Sequence, residues 1–181
     1  MTIKGPAQYE EFEYSDAGRA VSPIGLLKIL RKVNCIVPTK PIIITENGVG
    51  DGTDSLRPAY ILEHLQALYC AIQEGIPVHG YIYWTLSDNL EWTDGYGPKF
   101  GLVEVNREEN LKRIKRESFF LYQTIIKDFG FTEKIRSDHW QTYWSTVGSF
   151  RTYWRSEDNK HGLSKAIMRK TPRHDWKFIK S

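Results

Sequence analysis

An apolar, β-branched run that ends in a carboxylate constrains this chain more than any other stretch: Pro41-Ile42-Ile43-Ile44 leads into Thr45-Glu46-Asn47-Gly48. A half-buried strand would alternate apolar and polar residues. A continuous run reads instead as a strand buried on both faces of a parallel sheet. Such a strand fixes the backbone of the acid that follows it. In a β/α barrel, reacting groups sit at the C-terminal ends of the strands. Glu46 is therefore a candidate for chemistry, with a solvated loop carboxylate as the plain alternative.

The neighbouring segments supply the rest of an α/β pattern. Ser22-Pro23 suits the cap and first turn of a helix. Leu26, Leu27, Leu30 and Val33 then recur at helical steps. Gly48 to Ser55 reads as a glycine- and aspartate-rich loop. Arg57-Pro58 starts a second helix, with Ile61, Leu62, Leu65, Leu68, Tyr69 and Ile72 on one face. Gly75 and Pro77 stop it. Val78 to Trp84 is the second strand, Leu86 to Tyr96 a long loop, and Phe100 to Val105 a short strand. Phe119, Tyr122, Ile126 and Phe129 mark a last amphipathic helix closed by Gly130. The order helix, strand, helix, strand, helix implies a parallel sheet. Two parallel strands alone leave exposed edges and an uncovered core. A complete (β/α)₈ barrel takes about 250 residues, and this chain has 181.

Composition narrows the partners. A net charge of +3 is too mild for a nucleic-acid surface, and no apolar run approaches the length of a membrane span or a signal peptide. Cys35 and Cys70 lack metal-site spacing and read as free core thiols, a disulfide being the alternative. His64 reads as a core residue and His79 as structural; His139, His161 and His174 are too dispersed for a metal site. After Gly130 the balance shifts to eleven Lys or Arg against five Asp or Glu, with Trp140, Trp144, Trp154 and Trp176 interleaved. This divides the chain into 1–130 and a C-terminal extension, 131–181. The extension is expected to pack its aromatics on the main domain, or to offer a basic-aromatic surface to anionic lipid headgroups.

Trp84-Thr85-Leu86-Ser87-Asp88-Asn89-Leu90-Glu91-Trp92 follows the second strand. Sugars present apolar C–H faces and rings of hydroxyls; indoles stack on the former and carboxylates accept from the latter. Two tryptophans bracketing a glutamate therefore suit a hexose subsite, against a loop with aromatic packing. Phe100 either walls that site or fills the core, and Asp88 and Asn89 brace the loop. Cleavage of a glycosidic bond with retention needs a nucleophilic carboxylate and a second one that gives and takes a proton. Glu46 fits the nucleophile, with nearby donors expected to keep it ionised.

Thr45-Glu46-Asn47-Gly48, the Trp84–Trp92 block and Phe100-Gly101-Leu102 together resemble the C-terminal quarter to third of glycoside hydrolase family 1, over roughly residues 14–130. The resemblance implies an α/β fold: the C-terminal part of a (β/α)₈ TIM barrel, strands 7 and 8 with flanking helices. It implies Glu46 as nucleophile at the end of strand 7, Trp84 as sugar platform, and Glu91 and Trp92 as contacts to glycone hydroxyls. It requires no cofactor and leaves divalent cation dependence open. A narrower set is similar to the galactolipid galactosyltransferase branch of the family, the freezing-tolerance type. This set comprises Glu13-Tyr14-Ser15 with Gly18-Arg19, Asp94 to Val103, Asn110-Leu111 with Arg113-Ile114, Asn159 to Leu163, and Asp175-Trp176. Lys115 and Glu117 depart from it where the branch tends to have proline. That likeness implies a galactolipid substrate and the chloroplast outer envelope; a soluble glycoside and the cytoplasm are the alternatives. The family's acid/base glutamate lies in an Asn-Glu-Pro motif, and no Asn-Glu-Pro occurs in these 181 residues. The chain is thus expected to be a fragment that lacks barrel strands 1–6, and a non-catalytic sugar- or lipid-binding remnant is the third reading.

Overall fold

The computed structural model describes residues 4–8, 15–16 and 19–146, with short strand segments at 152–153, 167–168 and 177–180. In chain order these are β1 (Lys4–Gln8), α1 (Pro23–Ile36), β2 (Ile42–Asn47), α2 (Arg57–Gln73), β3 (Val78–Tyr83), β4 (Val103–Asn106), β5 (Lys112–Lys115), α3 (Glu117–Asp128), α4 (Glu133–Thr146), β6 (Thr152–Tyr153), β7 (Ile167–Met168) and β8 (Lys177–Lys180). A single 3₁₀ turn, Trp92–Asp94, interrupts the loop after β3. The strands pair two by two: β2 with β3 in parallel, and β4 with β5, β6 with β7 and β1 with β8 antiparallel.

Helix α1 starts where its sequence says it should. Ser22 Oγ accepts from the Gly25 amide at 3.2 Å and Pro23 takes the first helical position. Its Leu27 and Leu30 pack with Ala67, Leu68, Ala71 and Ile76 around α2, and Ile42, Ile44 and Val78 from the strands lean on the same cluster. Strands β2 and β3 thus present one face to the helices. Their register sets Ile43 opposite Gly80 and Asn47 opposite Tyr83.

The other face of this pair is open. Ile43 is 58% exposed and Ile82 56% exposed. The expectation that β2 is buried on both faces does not hold among the described residues. Its one ladder partner there is β3, and the helices cover a single side. Helix α2 also differs from a one-sided stripe. Every residue from Arg57 to His64 is buried, whereas Tyr69 and Ile72 are about half exposed. Both cysteines are free, but only Cys70 lies inside; Cys35 sits exposed in the last turns of α1. No helix among the described residues is long and apolar enough to cross a membrane.

Helix α4 docks by a buried ion pair rather than by an apolar stripe. Arg136 reaches both carboxylate oxygens of Glu63 on α2, at 2.5 and 2.7 Å, and Trp140 Nε1 donates to Glu63 Oε1 at 2.8 Å. All three residues are fully buried. A carboxylate taken out of water is tolerable only with donors of this quality. The side chains of Tyr143 and beyond lie outside the described residues, as do Glu13-Tyr14, Gly18 and the segments 159–163 and 175–176.

Arg136→Met leaves Glu63 buried without its counter-ion and should lower stability by about 3–5 kcal/mol. Lys134→Ala on the exposed side of the same helix, which breaks the Lys134–Asp138 pair, should change it by at most about 0.5 kcal/mol in urea melts. His64 is buried, stacks on Tyr60 with ring centroids 3.7 Å apart, and donates from Nδ1 to the Tyr60 carbonyl at 2.8 Å. Burial pulls its pKa down to about 4, the carbonyl contact opposing. The unfolded chain then binds the extra proton first. Stability supplied by neutral His64 is present above pH 6.5 and is lost as pH falls toward about 4, up to about 3 kcal/mol. His64→Phe should flatten the pH dependence of the urea midpoint across that window.

Candidate active site

Strands β2 and β3 end side by side, and a pocket opens beyond them. Trp84 N donates to the Asn47 carbonyl at 3.0 Å, so the chain leaving β3 is tied to the residue after Glu46. Tyr81 OH donates to Asn47 Oδ1 at 2.9 Å and fixes that amide from below. Gly48 passes directly over the Trp84 peptide: a Cβ built there would lie 1.6 Å from the Trp84 carbonyl oxygen. The Trp84–Thr85 peptide bond is cis.

The loop after β3 is then stitched to the segment before β4. Thr85 N donates to the Phe100 carbonyl, Leu102 N to Thr85 O, Val103 N to Leu86 O, and Asp88 N to Val103 O, all at 2.9–3.2 Å. Buried charge locks the stitch. Asp88 Oδ1 accepts from the Gly101 amide at 2.8 Å, and the carboxylate takes both Nη atoms of Arg116, at 3.0 and 2.9 Å. Arg116 Nη1 also donates to the Gly101 carbonyl at 2.6 Å. Beyond Asp88 the chain turns tightly, with Glu91 N donating to Gly95 O at 2.8 Å and Asp94 N to Glu91 O at 2.9 Å.

These constraints bring Glu46, Trp84, Glu91, Trp92 and Phe100 to one cavity of about 340 Å³. All five residues singled out from sequence line it. Their settings differ. Glu46 is exposed and, among the described residues, receives no hydrogen bond. Trp84 is half-buried and Phe100 buried, so Phe100 both walls the pocket and fills the core. Trp92 is 86% exposed. Glu91 is buried, and its Oε2 has no hydrogen-bond partner.

Two further lining residues were not among the site residues named from sequence. Tyr60 comes from the first turns of α2, and burial raises its phenol well above the ordinary tyrosine range. Arg19 comes from the loop before α1, a span without periodicity to flag it. Among the described residues no group of three His, Cys, Asp or Glu side chains gathers as a metal site would.

Comparison with known proteins agrees with this geometry. Residues 3–131 match the family model described as Glycosyl hydrolase family 1. The galactolipid galactosyltransferase SFR2, chloroplastic, of Arabidopsis thaliana is 45% identical over 93% of this chain and 29% of its own length. A beta-glucosidase-like SFR2, chloroplastic, of Oryza sativa subsp. japonica is 44% identical over 97% of this chain and 29% of its own. Among solved structures, the beta-glycosidase from Pyrococcus horikoshii superposes with a TM-score of 0.67 at 34% identity, over 72% of this chain and 30% of that one. The chain therefore spans under a third of the length of these relatives.

The close passage at Gly48 gives a test of the pocket's frame. Gly48→Ala forces the β2 and β3 ends apart and should cost about 3 kcal/mol with a changed near-UV tryptophan signal. Gly52→Ala meets only ordinary contacts at 3.7 Å and beyond. It should be neutral, or stabilise by about 0.5 kcal/mol through the unfolded state.

Proposed function

This chain belongs to glycosyl hydrolase family 1, and on that premise we propose that it carries the nucleophile side of a retaining glycosyl-transfer site that moves galactosyl groups between galactolipids. The observation that supports the reading most is the convergence of two carboxylates, Glu46 and Glu91, with Trp84 and Trp92 on one cavity. Glu46 attacks the anomeric carbon of a monogalactosyl lipid. Its carboxylate oxygen forms a bond to C1 as the C1–oxygen bond to diacylglycerol breaks. The departing oxygen takes a proton from a carboxylic acid that these 181 residues do not supply in an Asn-Glu-Pro context. The same group, now a carboxylate, removes the proton from a hydroxyl of a second galactolipid. That oxygen attacks C1 and frees Glu46. Trp84 stacks on the apolar face of the sugar, Glu91 accepts from its hydroxyls, and Trp92 and Phe100 complete the wall.

The exposed face carrying Ile43 and Ile82 fits a barrel interior completed by further strands, so the active unit is a longer protein or an assembly. The chloroplast, at its outer envelope, is the compartment that goes with this reading. Contact with a membrane surface through 131–181 goes with it too. Hydrolysis of soluble β-glycosides is the second reading. It draws on relatives such as the bifunctional beta-D-glucosidase/beta-D-fucosidase of Bifidobacterium breve, 37% identical over 64% of this chain. Lipid products from the longer protein separate the two. A remnant that only binds sugar or lipid would leave Glu46 unreactive.

A 2,4-dinitrophenyl 2-deoxy-2-fluoro-β-galactoside tests the nucleophile directly, because dinitrophenolate departs without a proton and the fluorine slows hydrolysis of the ester. Intact-mass and peptide analysis should find one sugar on Glu46, and none in Glu46→Gln. An adduct elsewhere, or none, would overturn the assignment. The chain alone should not turn over an ordinary aryl galactoside. Turnover that disappears in Glu46→Gln would show that the acid is already present.

A further inference from the structure

A second opening lies apart from the site, along the outer edge of β3. Among the described residues β3 pairs with β2 alone. Every second residue of a strand aims its N–H and C=O away from a given neighbour, so one row of β3 backbone groups has no ladder partner there. A groove of about 390 Å³ runs beside that row, and Tyr81, Ile82 and Tyr83 all line it. Successive residues of a strand point to opposite faces. A groove that touches all three therefore follows the edge of the strand rather than one of its faces.

The far wall is α3. Phe119, Tyr122 and Ile126 line the groove at steps of three and four, one stripe of a helix. Tyr122 holds this stripe to the strand: its ring centroid lies 6.5 Å from that of Tyr81 and 6.0 Å from that of Tyr83. Beyond Tyr122 the stripe is open, with Ile126 58% exposed; on the strand side Ile82 is 56% and Leu86 64% exposed. Single apolar residues on a surface need no partner. A groove of them continuous with unpaired backbone is the form in which a sheet accepts another strand.

We infer that this groove is a docking surface for a β-strand from the remaining part of a family 1 chain, laid parallel to β3 with apolar side chains set against Ile82, Leu86 and Ile126. This rests on the reading that the active unit is a longer protein or an assembly; it adds which edge receives the partner and what the partner brings. The β2–β3 pair is parallel, and purely parallel sheets are favoured over mixed ones. More than two thirds of each plant relative lies outside the stretch that this chain matches, so a family chain has ample length to supply the strand. The groove is also continuous with the open face at Ile43 and Ile82, so the added strand extends an existing sheet. Leu86 lies two residues beyond Trp84, and docking there steadies the segment that carries the proposed sugar platform.

The test immobilises the full chain and uses as probe the part of the Arabidopsis thaliana relative outside the matched stretch, produced as a separate polypeptide, with affinity read by biolayer interferometry. Saturable one-to-one binding is expected. Ile126→Asp and Leu86→Asp put a charge on either wall of the groove, and each should weaken binding about tenfold or more; Ile126→Val should stay within about threefold. Phe129→Ser alters a ring that is 97% exposed and lies outside the groove, and it should bind as the wild type does. Thermal midpoints are compared first, and hydrogen exchange on the wild-type complex gives a reading that needs no variant: β3 amides that β2 leaves unpaired should gain protection. No saturable binding, groove variants that bind like the wild type, or protection gained while the β3 edge is unchanged would overturn the inference. Self-association of the chain that is lost in Ile126→Asp would overturn it too, since the occupant is then a second copy. Labelling of Glu46 by the fluorosugar is scored separately. A complex without labelling defeats the nucleophile assignment alone, and labelling of a chain that binds no probe defeats the docking surface alone.

Discussion

The buried contact between Asp88 and Arg116 is the constraint on which the site depends. Asp88 lies in the loop after β3 and Arg116 at the entry to α3, and both are nearly inaccessible. Between them they occupy the amide and carbonyl of Gly101. That glycine has no room for a side chain: a Cβ would lie 2.3 Å from Asp88 N. The clamp therefore sets how far the 84–92 loop stands from the 100–103 segment. Glu91, Trp92 and Phe100 take their places from that spacing. Replacing such a pair with apolar residues of similar volume is often neutral for stability, whereas removing one partner is costly. Its value here is in specifying one arrangement of a loop whose Leu86, Leu90 and Trp92 stay exposed and bury little apolar area.

The acid on the other side of the site is held differently. Glu46 rides on the end of β2, and β2 is fixed by β3, by the packing of Ile42 and Ile44 on the helices, and by Tyr81 beneath Asn47. Its own carboxylate is left exposed toward the cavity. One half of the pocket is thus set by strand pairing and the other by buried charge, with Arg19 the side chain that crosses between them. The nucleophile role proposed for Glu46 requires a carboxylate that is unencumbered and a backbone that stays still. A strand end supplies both.

Much of this was legible in the chain. The Ile42–Ile44 run, the Ser22-Pro23 start and the Gly75 stop are local signals, and each marks its element to within a few residues. Glu46, Trp84, Glu91, Trp92 and Phe100 were singled out because sugar chemistry calls for those residue types beyond strand ends, and the fold brings the five to one cavity. Three features were not legible. The hairpin β4–β5 is held by backbone pairing at Val103–Lys115 and Asn106–Lys112, while its second strand is exposed at every position and charged at all but Ile114. Helix α4 shows no apolar stripe, because what it buries is Arg136 and Trp140 against a glutamate 73 residues earlier. Arg19 lies in an aperiodic span, and its partner Glu91 is 72 residues away. Local periodicity reports which face is apolar; it is silent about a charge whose partner arrives only in the fold. Burial of β2 failed as an expectation for a related reason. An apolar run shows that a strand can be covered on both faces, and coverage depends on how many neighbours are supplied.

The clamp can be tested directly by amide hydrogen exchange on the full chain, comparing the wild type with Arg116→Met. The account predicts that the Gly101 and Glu91 amides are protected in the wild type and lose that protection together in the variant, while β2 and β3 amides such as Ile42 keep theirs. Retained protection at Gly101 and Glu91, or a uniform loss that includes β2 and β3, would contradict the claim that this one buried pair organises the site's second half.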